Sequence, residues 1–272
     1  MPENNTLPPF PLSPEDSGIL PEAETGLAGS WAFSSENSLS HGEVRFLAAA
    51  STPFPITISI DNIIYAETFV FGTIGNYTPV SDGFHNVSVF YTSGPRITLF
   101  EKMFPFKAGE QVTMVILDSE SSGITVSQIS DMACRNISGN CGCFRTANMA
   151  FPGSLFDILL QTGEPVFRDI AYNTVTPYKQ AEEGNWTFLV SSLTCSGTYR
   201  EVPMISSRTT VAPCSMITPF LSFQAAIRAG RSYTAYLIGN PWSNYSFQAL
   251  VTEDGGNAVT PAASQLPSSS TP

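Results

Sequence analysis

Residues 44–61 read VRFLAAASTPFPITISID, and residues 144–161 read FRTANMAFPGSLFDILLQ. The two stretches match in length and in the order of apolar run, proline-containing break and second apolar run. The segments downstream match as well. Tyr77 in IGNYTPVSDGFHNVSVF stands where Tyr178 stands in VTPYKQAEEGNWTFLV, and Arg145 lies 145 − 45 = 100 positions after Arg45. Later, FKAGEQVTMVIL (Phe106–Leu117) matches IRAGRSYTAYLI (Ile227–Ile238), now offset by 121 at Gly109 and Gly230. The same unit written twice predicts two small domains, with an insertion of about 20 residues inside the second, near Cys195–Cys214.

Alternation, β-branched and aromatic residues and turn punctuation mark the units as β. Strands are expected at Val44–Ala49, Ile56–Ile60, Ile63–Tyr65, Gly75–Val80, Phe84–Tyr91, Ile97–Pro105, Gln111–Asp118 and Ile124–Ile129. Pro53, Pro55, Pro79 and Pro95 fall at strand starts or breaks, where a missing N–H is tolerated. The paired glycines Gly83/Gly184 and Gly109/Gly230 read as hairpin glycines. The expected fold is all-β: two tandem antiparallel β-sandwiches of immunoglobulin or transthyretin type. The first covers 41–133 and the second 144–254 with the insertion at 195–215, joined by a cysteine-bearing connector, 134–143. Residues 1–40, rich in proline, read as a disordered arm in which Phe10, Leu12, Trp31 and Phe33 are candidates to dock on the first domain; 255–272 read as a disordered tail.

Bulk composition excludes some function classes. The 272 residues carry a net charge of −11, with only 12 lysines and arginines, which do not cluster. Binding nucleic acid by phosphate neutralisation is therefore not expected. No run approaches the roughly 18 apolar residues of a membrane span. The opening MPENNTLPPFPLSPEDSG lacks a basic start leading into an apolar stretch, so no secretion signal is read there.

The set VRFLAAA…PITISIDN, FGTIGNYTPVSDGFHNVSV, FKAGEQVTMVIL and SQISDMAC…CFRTANMA…FDILLQTGEPVF resembles the bacterial domain-of-unknown-function family 4397. The resemblance runs from about Gly42 to Asp254. It implies tandem small β-sandwich modules and, for many members, a cell-surface or envelope location. It carries over no catalytic residue.

Chemistry-bearing residues are few. Cys134, Cys141 and Cys143 lie in CRNISGNCGC, where three thiolates could share a zinc or copper(I) ion, or Cys134 could bridge to Cys141 or Cys143 and leave one thiol free. Cys195 and Cys214 bracket the insertion, and a bridge between them would need an oxidising compartment. A Ser/His/Asp or Cys/His device would need His41 or His85 as base, and both read as structural. Asp61, Asp82, Asp118, Asp157 and Asp169 read as turn and strand-end acids rather than glycosidase pairs. Trp242, Tyr245 and Phe247 in GNPWSNYSFQALV could stack on sugars, or simply pack one sandwich face. The six Asn-X-Ser/Thr sites, among them Asn76, Asn86, Asn185 and Asn244, read as chance in an Asn/Ser/Thr-rich text. No phosphate-cradling or dinucleotide loop is present. The expectation is a non-enzymatic structural or binding module with no cofactor and an unknown protein or glycan partner, with self-association through sheet edges open to it. The alternatives are a carbohydrate- or peptide-binding accessory protein, and a thiol- or metal-handling protein.

Overall fold

The computed structural model describes residues 40–255 apart from 122, 133, 154, 193–200, 208–218, 244 and 245. Its first half holds β1 (His41–Ala48), β2 (Ile56–Ile60), β3 (Ile63–Phe69), β4 (Thr78–Ser81), β5 (Gly83–Tyr91), β6 (Thr98–Phe106), β7 (Gln111–Asp118) and β8 (Ile124–Ser130). Its second half holds β9 (Cys141–Ala150), β10 (Phe156–Leu160), β11 (Pro165–Ile170), β12 (Thr174–Val175), β13 (Lys179–Glu182), β14 (Gly184–Ser191), β15 (Leu221–Ile227), β16 (Ser232–Gly239) and β17 (Gln248–Asp254). The all-β expectation holds, and β2 and β7 have the bounds read from the sequence. No helix occurs among the described residues.

Four sheets result, two per half, and their orders correspond. The outer sheets are β3-β2-β5-β6 and β11-β10-β14-β15; the inner sheets are β4-β1-β7-β8 and β12-β9-β16-β17, with β13 also on β9. One expectation is corrected here. Each inner sheet is mixed, because β1 pairs β7 and β9 pairs β16 in parallel. Between β1 and β7 the chain builds the outer sheet and adds β4 to the inner one; between β9 and β16 it does the same with β12 and β13, so each parallel pair has the long crossover it demands. The glycine reading changes with it. Gly109 and Gly230, both at φ +72, lie between an outer and an inner strand, so they turn the chain from sheet to sheet rather than closing hairpins.

Each half buries a core between its own two sheets. The first is built on Val44, Phe46, Ile56, Ile58, Val87, Val89, Met114 and Ile116, the second on Phe144, Phe156, Ile158, Phe188, Phe223 and Leu237. The strand period of two sends the intervening residues of the inner strands the other way. Leu47, Ala49, Val115 and Leu117 of the first half there meet Ala147, Met149, Tyr236 and Ile238 of the second in a third buried cluster. The two halves fall in a single compact unit, with the inner sheets packed on each other. Burial on both faces is why apolar residues stand at consecutive positions in these strands, as at 114–117 in β7 and 235–238 in β16.

Two boundaries shift. Cys141 and Cys143 belong to strand β9, not to a connector, and the span between β8 and β9 is residues 131–140. The insertion is partly structured: Val202 and Ile205 are buried in the second core, and Ile205 bridges Ala181. Cys195, Cys214 and Tyr245 lie outside the described residues, as do residues 1–39 and 256–272.

Candidate functional site

Among the described residues, four buried charged side chains, Arg45, Arg145, Asp131 and Asp254, gather between the two inner sheets. The register of β1 on β7 places Arg45 beside Thr113, and the register of β9 on β16 places Arg145 beside Thr234. Arg45 Nε donates to Thr113 Oγ1 at 2.7 Å, and Arg145 Nε donates to Thr234 Oγ1 at 2.7 Å. Each guanidinium then crosses to the other half. Arg45 Nη2 donates to Asp254 Oδ1 at 2.9 Å, while Arg145 Nη2 donates to Asp131 Oδ1 at 2.9 Å. Backbone contacts obey the same rule: Arg45 reaches the carbonyl of Glu253 at 3.1 Å, and Arg145 that of Ser130 at 3.0 Å.

Tyrosines complete both sites. Tyr77 Oη donates to Asp131 at 2.8 Å and Tyr178 Oη donates to Asp254 at 2.6 Å. The guanidinium carbons of Arg45 and Arg145 lie 4.5 and 4.4 Å from the ring centres of Tyr77 and Tyr178. Thr113 donates to Asp131, and Thr234 to Asp254 at 2.6 Å. Burial first, and the neighbouring aspartates next, push both phenols far upward, so they stay protonated donors. Burial, then the charge of Asp254, pushes Asp131 up to about 6. With two arginines against two aspartates, the ionised cluster is neutral, and each aspartate accepts three hydrogen bonds.

The arrangement is isologous within one chain: what the first half does to the second, the second does to the first. The pattern extends to the end of the inner sheets. Phe71 lies against Gly239, and its counterpart Tyr172 donates its hydroxyl to the carbonyl of Asp118 at 2.5 Å. Symmetry lapses at two places. Thr252, which accepts from Arg45, stands opposite Ile129 in the first half, and Tyr236 stands where Val115 stands. The buried hydroxyl of Tyr236 has no hydrogen-bond partner among the described residues.

These residues were not singled out as a site by their sequence, although the pairs Arg45/Arg145 and Tyr77/Tyr178 are visible in the repeat. The missed signal is an arginine inside an apolar run, repeated at the same place in both copies. A charge there must be paired.

Of the readings open to the three cysteines, the structure has the bridge. Cys134 and Cys143 form a disulfide, and Cys141 is a buried free thiol. Two of the three thiolates that a shared metal ion would use are thus bonded to each other. Among the described residues no group of three or more His, Cys, Asp and Glu side chains is placed to hold a metal. Cys134 also donates its backbone N–H to Ser232 Oγ at 3.2 Å, fixing the connector against β16.

His85, expected to be structural, gains two neighbours that make a triad-like row. Its Nδ1 lies 2.6 Å from Asp61 Oδ2, and its Nε2 lies 3.2 Å from Ser81 Oγ. However, Nε2 lies closer still, 2.9 Å, to the carbonyl of Ser81, which only an N–H can satisfy. The second half decides between the two roles. Trp186, at the matching position, donates its indole N–H to the carbonyl of Glu182 at 2.9 Å, and Glu182 matches Ser81. Both rings therefore sit at the same sheet-to-sheet turn, each with a ring nitrogen against the carbonyl of the matching residue. The hydrogen bond from His85, and after it that from the Asn86 backbone, holds the Asp61 carboxyl below its usual range. His41 lies exposed on β1, its carbonyl accepting from Gly109.

The remaining acids also act locally. Asp61 and Asp169 occupy positive-φ positions. Asp82 accepts from the Ala108 N–H, Asp118 from Ser51 and Asp157 from Asp169. Of the aromatic group, Phe247 packs in the second core while Trp242 is 68% exposed, standing edge-on to Phe220 at 5.7 Å.

Against known proteins, neither a protein-family model nor a curated sequence matches the chain. Among the described residues no helix is long and apolar enough to cross a membrane.

Proposed function

We propose that the chain is a non-catalytic structural or binding module, two tandem immunoglobulin- or transthyretin-like sandwiches, of a bacterial envelope, spore or extracellular layer. The resemblance to family 4397 points to the layer. The observation that carries the rest is the use of Arg45, Arg145, Asp131, Asp254, Tyr77 and Tyr178. Arg45 and Arg145 each reach an aspartate of the other half, and Tyr77 and Tyr178 hold those aspartates, Asp131 and Asp254, within their own halves. A pair of sheets fastened in this way suits a rigid element that presents loops and outer faces. Cosedimentation of the purified chain with cell-wall preparations tests the proposal. The expected result is retention of intact protein with no release of sugar or peptide; release of wall fragments, or no retention, refutes it.

A second reading rests on Trp242, the exposed end of an aromatic series running through Phe220 and Phe156 to Phe247. An exposed indole anchored from below is suited to stacking on a sugar face. Glycan-array binding that disappears in Trp242→Ala supports a carbohydrate-binding accessory role; binding unchanged by that substitution removes it.

A further inference from the structure

We infer that the inner-sheet interface also fits a second copy of this chain, the two copies exchanging halves. The inference does not depend on the layer reading; it stands on the isologous interface. Four of the contacts that join the halves come in reciprocal pairs: Arg45 with Asp254 and Arg145 with Asp131, Phe71 at Gly239 and Tyr172 at Asp118. The apolar contacts are reciprocal as well, with Leu47, Ala49 and Leu117 facing Ala147, Met149 and Ile238. The first half of one chain therefore finds in the second half of another all the partners it finds in its own. What favours the closed monomer is the connector, which raises the local concentration of each half to about the millimolar range.

The connector is also where the chain controls the exchange. Nine residues, 132–140, separate Asp131, which stays packed on the first half, from β9, enough to reach about 35 Å when extended. The Cys134–Cys143 bond pins most of that length to β9 and leaves two residues between Asp131 and Cys134, a reach of about 10 Å. Exchange is thus the property of the reduced chain.

The test uses the full chain under reductant. In Arg45→Met, closing the monomer leaves Asp254 without its crossing partner; in Asp254→Leu, it leaves Arg45 without one. A swapped dimer of one copy of each contains one interface with both native residues and one with neither. Each variant is opened in sub-denaturing urea and returned to buffer, alone or as an equal mixture, and its mass is read by native mass spectrometry. The expected result is monomer from each variant alone, and from the mixture a heterodimer at least about tenfold in excess over either homodimer. Dimers appearing equally in all three samples overturn the inference, because association through sheet edges ignores these residues. Should either variant fail to fold, light and heavy isotopic copies of the unaltered chain decide. A mixed dimer whose share rises with protein concentration during refolding supports the exchange, and monomer across a hundredfold range overturns it.

Discussion

Replacing Arg145 with methionine tests the buried cluster most directly. Methionine keeps the unbranched stem and much of the volume, so the change removes the guanidinium with little cavity cost. Three hydrogen bonds go with it: to Thr234 Oγ1 at 2.7 Å, to the Ser130 carbonyl at 3.0 Å and to Asp131 at 2.9 Å. Asp131, with no exposed side-chain surface, keeps Tyr77, Thr113 and Arg45, the last at 3.6 Å. Breaking a buried pair from one side costs about 3–5 kcal/mol, much of it from the charge left behind. At about 2–4 °C per kcal/mol for a structured body of this size, the melting temperature falls by about 6–20 °C. Asp131→Leu alone should cost a similar amount by stranding the arginine. Removing both partners together should cost less than the two single losses summed, by about 2 kcal/mol or more. Urea titration and calorimetry of the four proteins at pH 7.5 give the cycle. A single loss under about 1 kcal/mol, or additive losses, would show that the cluster does not hold the halves together and would sink the reasoning.

The pH dependence has a defined sign. The Asp131 carboxyl, raised to about 6 by burial and then by Asp254, lies above its unfolded value of about 3.9. Its contribution to stability is fully present below the unfolded value and is lost as pH rises through about 6, so Asp131→Asn should flatten the stability profile between pH 4 and 6. Asp61 runs the other way: its depressed folded value gives stability above pH 4 that is lost only in stronger acid. His85→Trp should fold with near-native stability because Trp186 fills that role in the second half, whereas His85→Ala should lose about 1 kcal/mol. If tryptophan is tolerated worse than alanine, the turn-closing assignment fails. Tyr236→Phe removes a buried hydroxyl without a partner and should leave stability unchanged or raise it by up to about 1 kcal/mol. A loss larger than that in thermal melts would reveal a partner for the hydroxyl. Cys134→Ser opens a loop spanning nine positions and should cost about 2–3 kcal/mol in non-reducing urea titration. Peptide mapping that joins Cys134 to Cys141 instead would refute the pairing.

The strands were legible in the order of amino acids alone, because alternation, β-branched residues and prolines act over a few positions. Ile56–Ile60 and Gln111–Asp118 have the same bounds in both readings. The correspondence between the halves was legible too, since the paired arginines, tyrosines and glycines keep constant offsets within each stretch and the sheet orders match. What these pairs do was settled by packing. The parallel pairing of β1 with β7 and of β9 with β16 depends on where the chain returns after some sixty residues or more, which no local pattern encodes. Likewise, Arg45 and Asp254 are separated by 209 positions, and nothing near either one names the other. The cysteines show the same division. Spacing left Cys134 free to choose Cys141 or Cys143, and the choice fell to β9, whose register against β13 and β16 fixes where each thiol stands. A charge inside an apolar run announces that it must be paired; the partner is supplied by the fold, because the energy of a buried ion pair depends on distances that only packing sets.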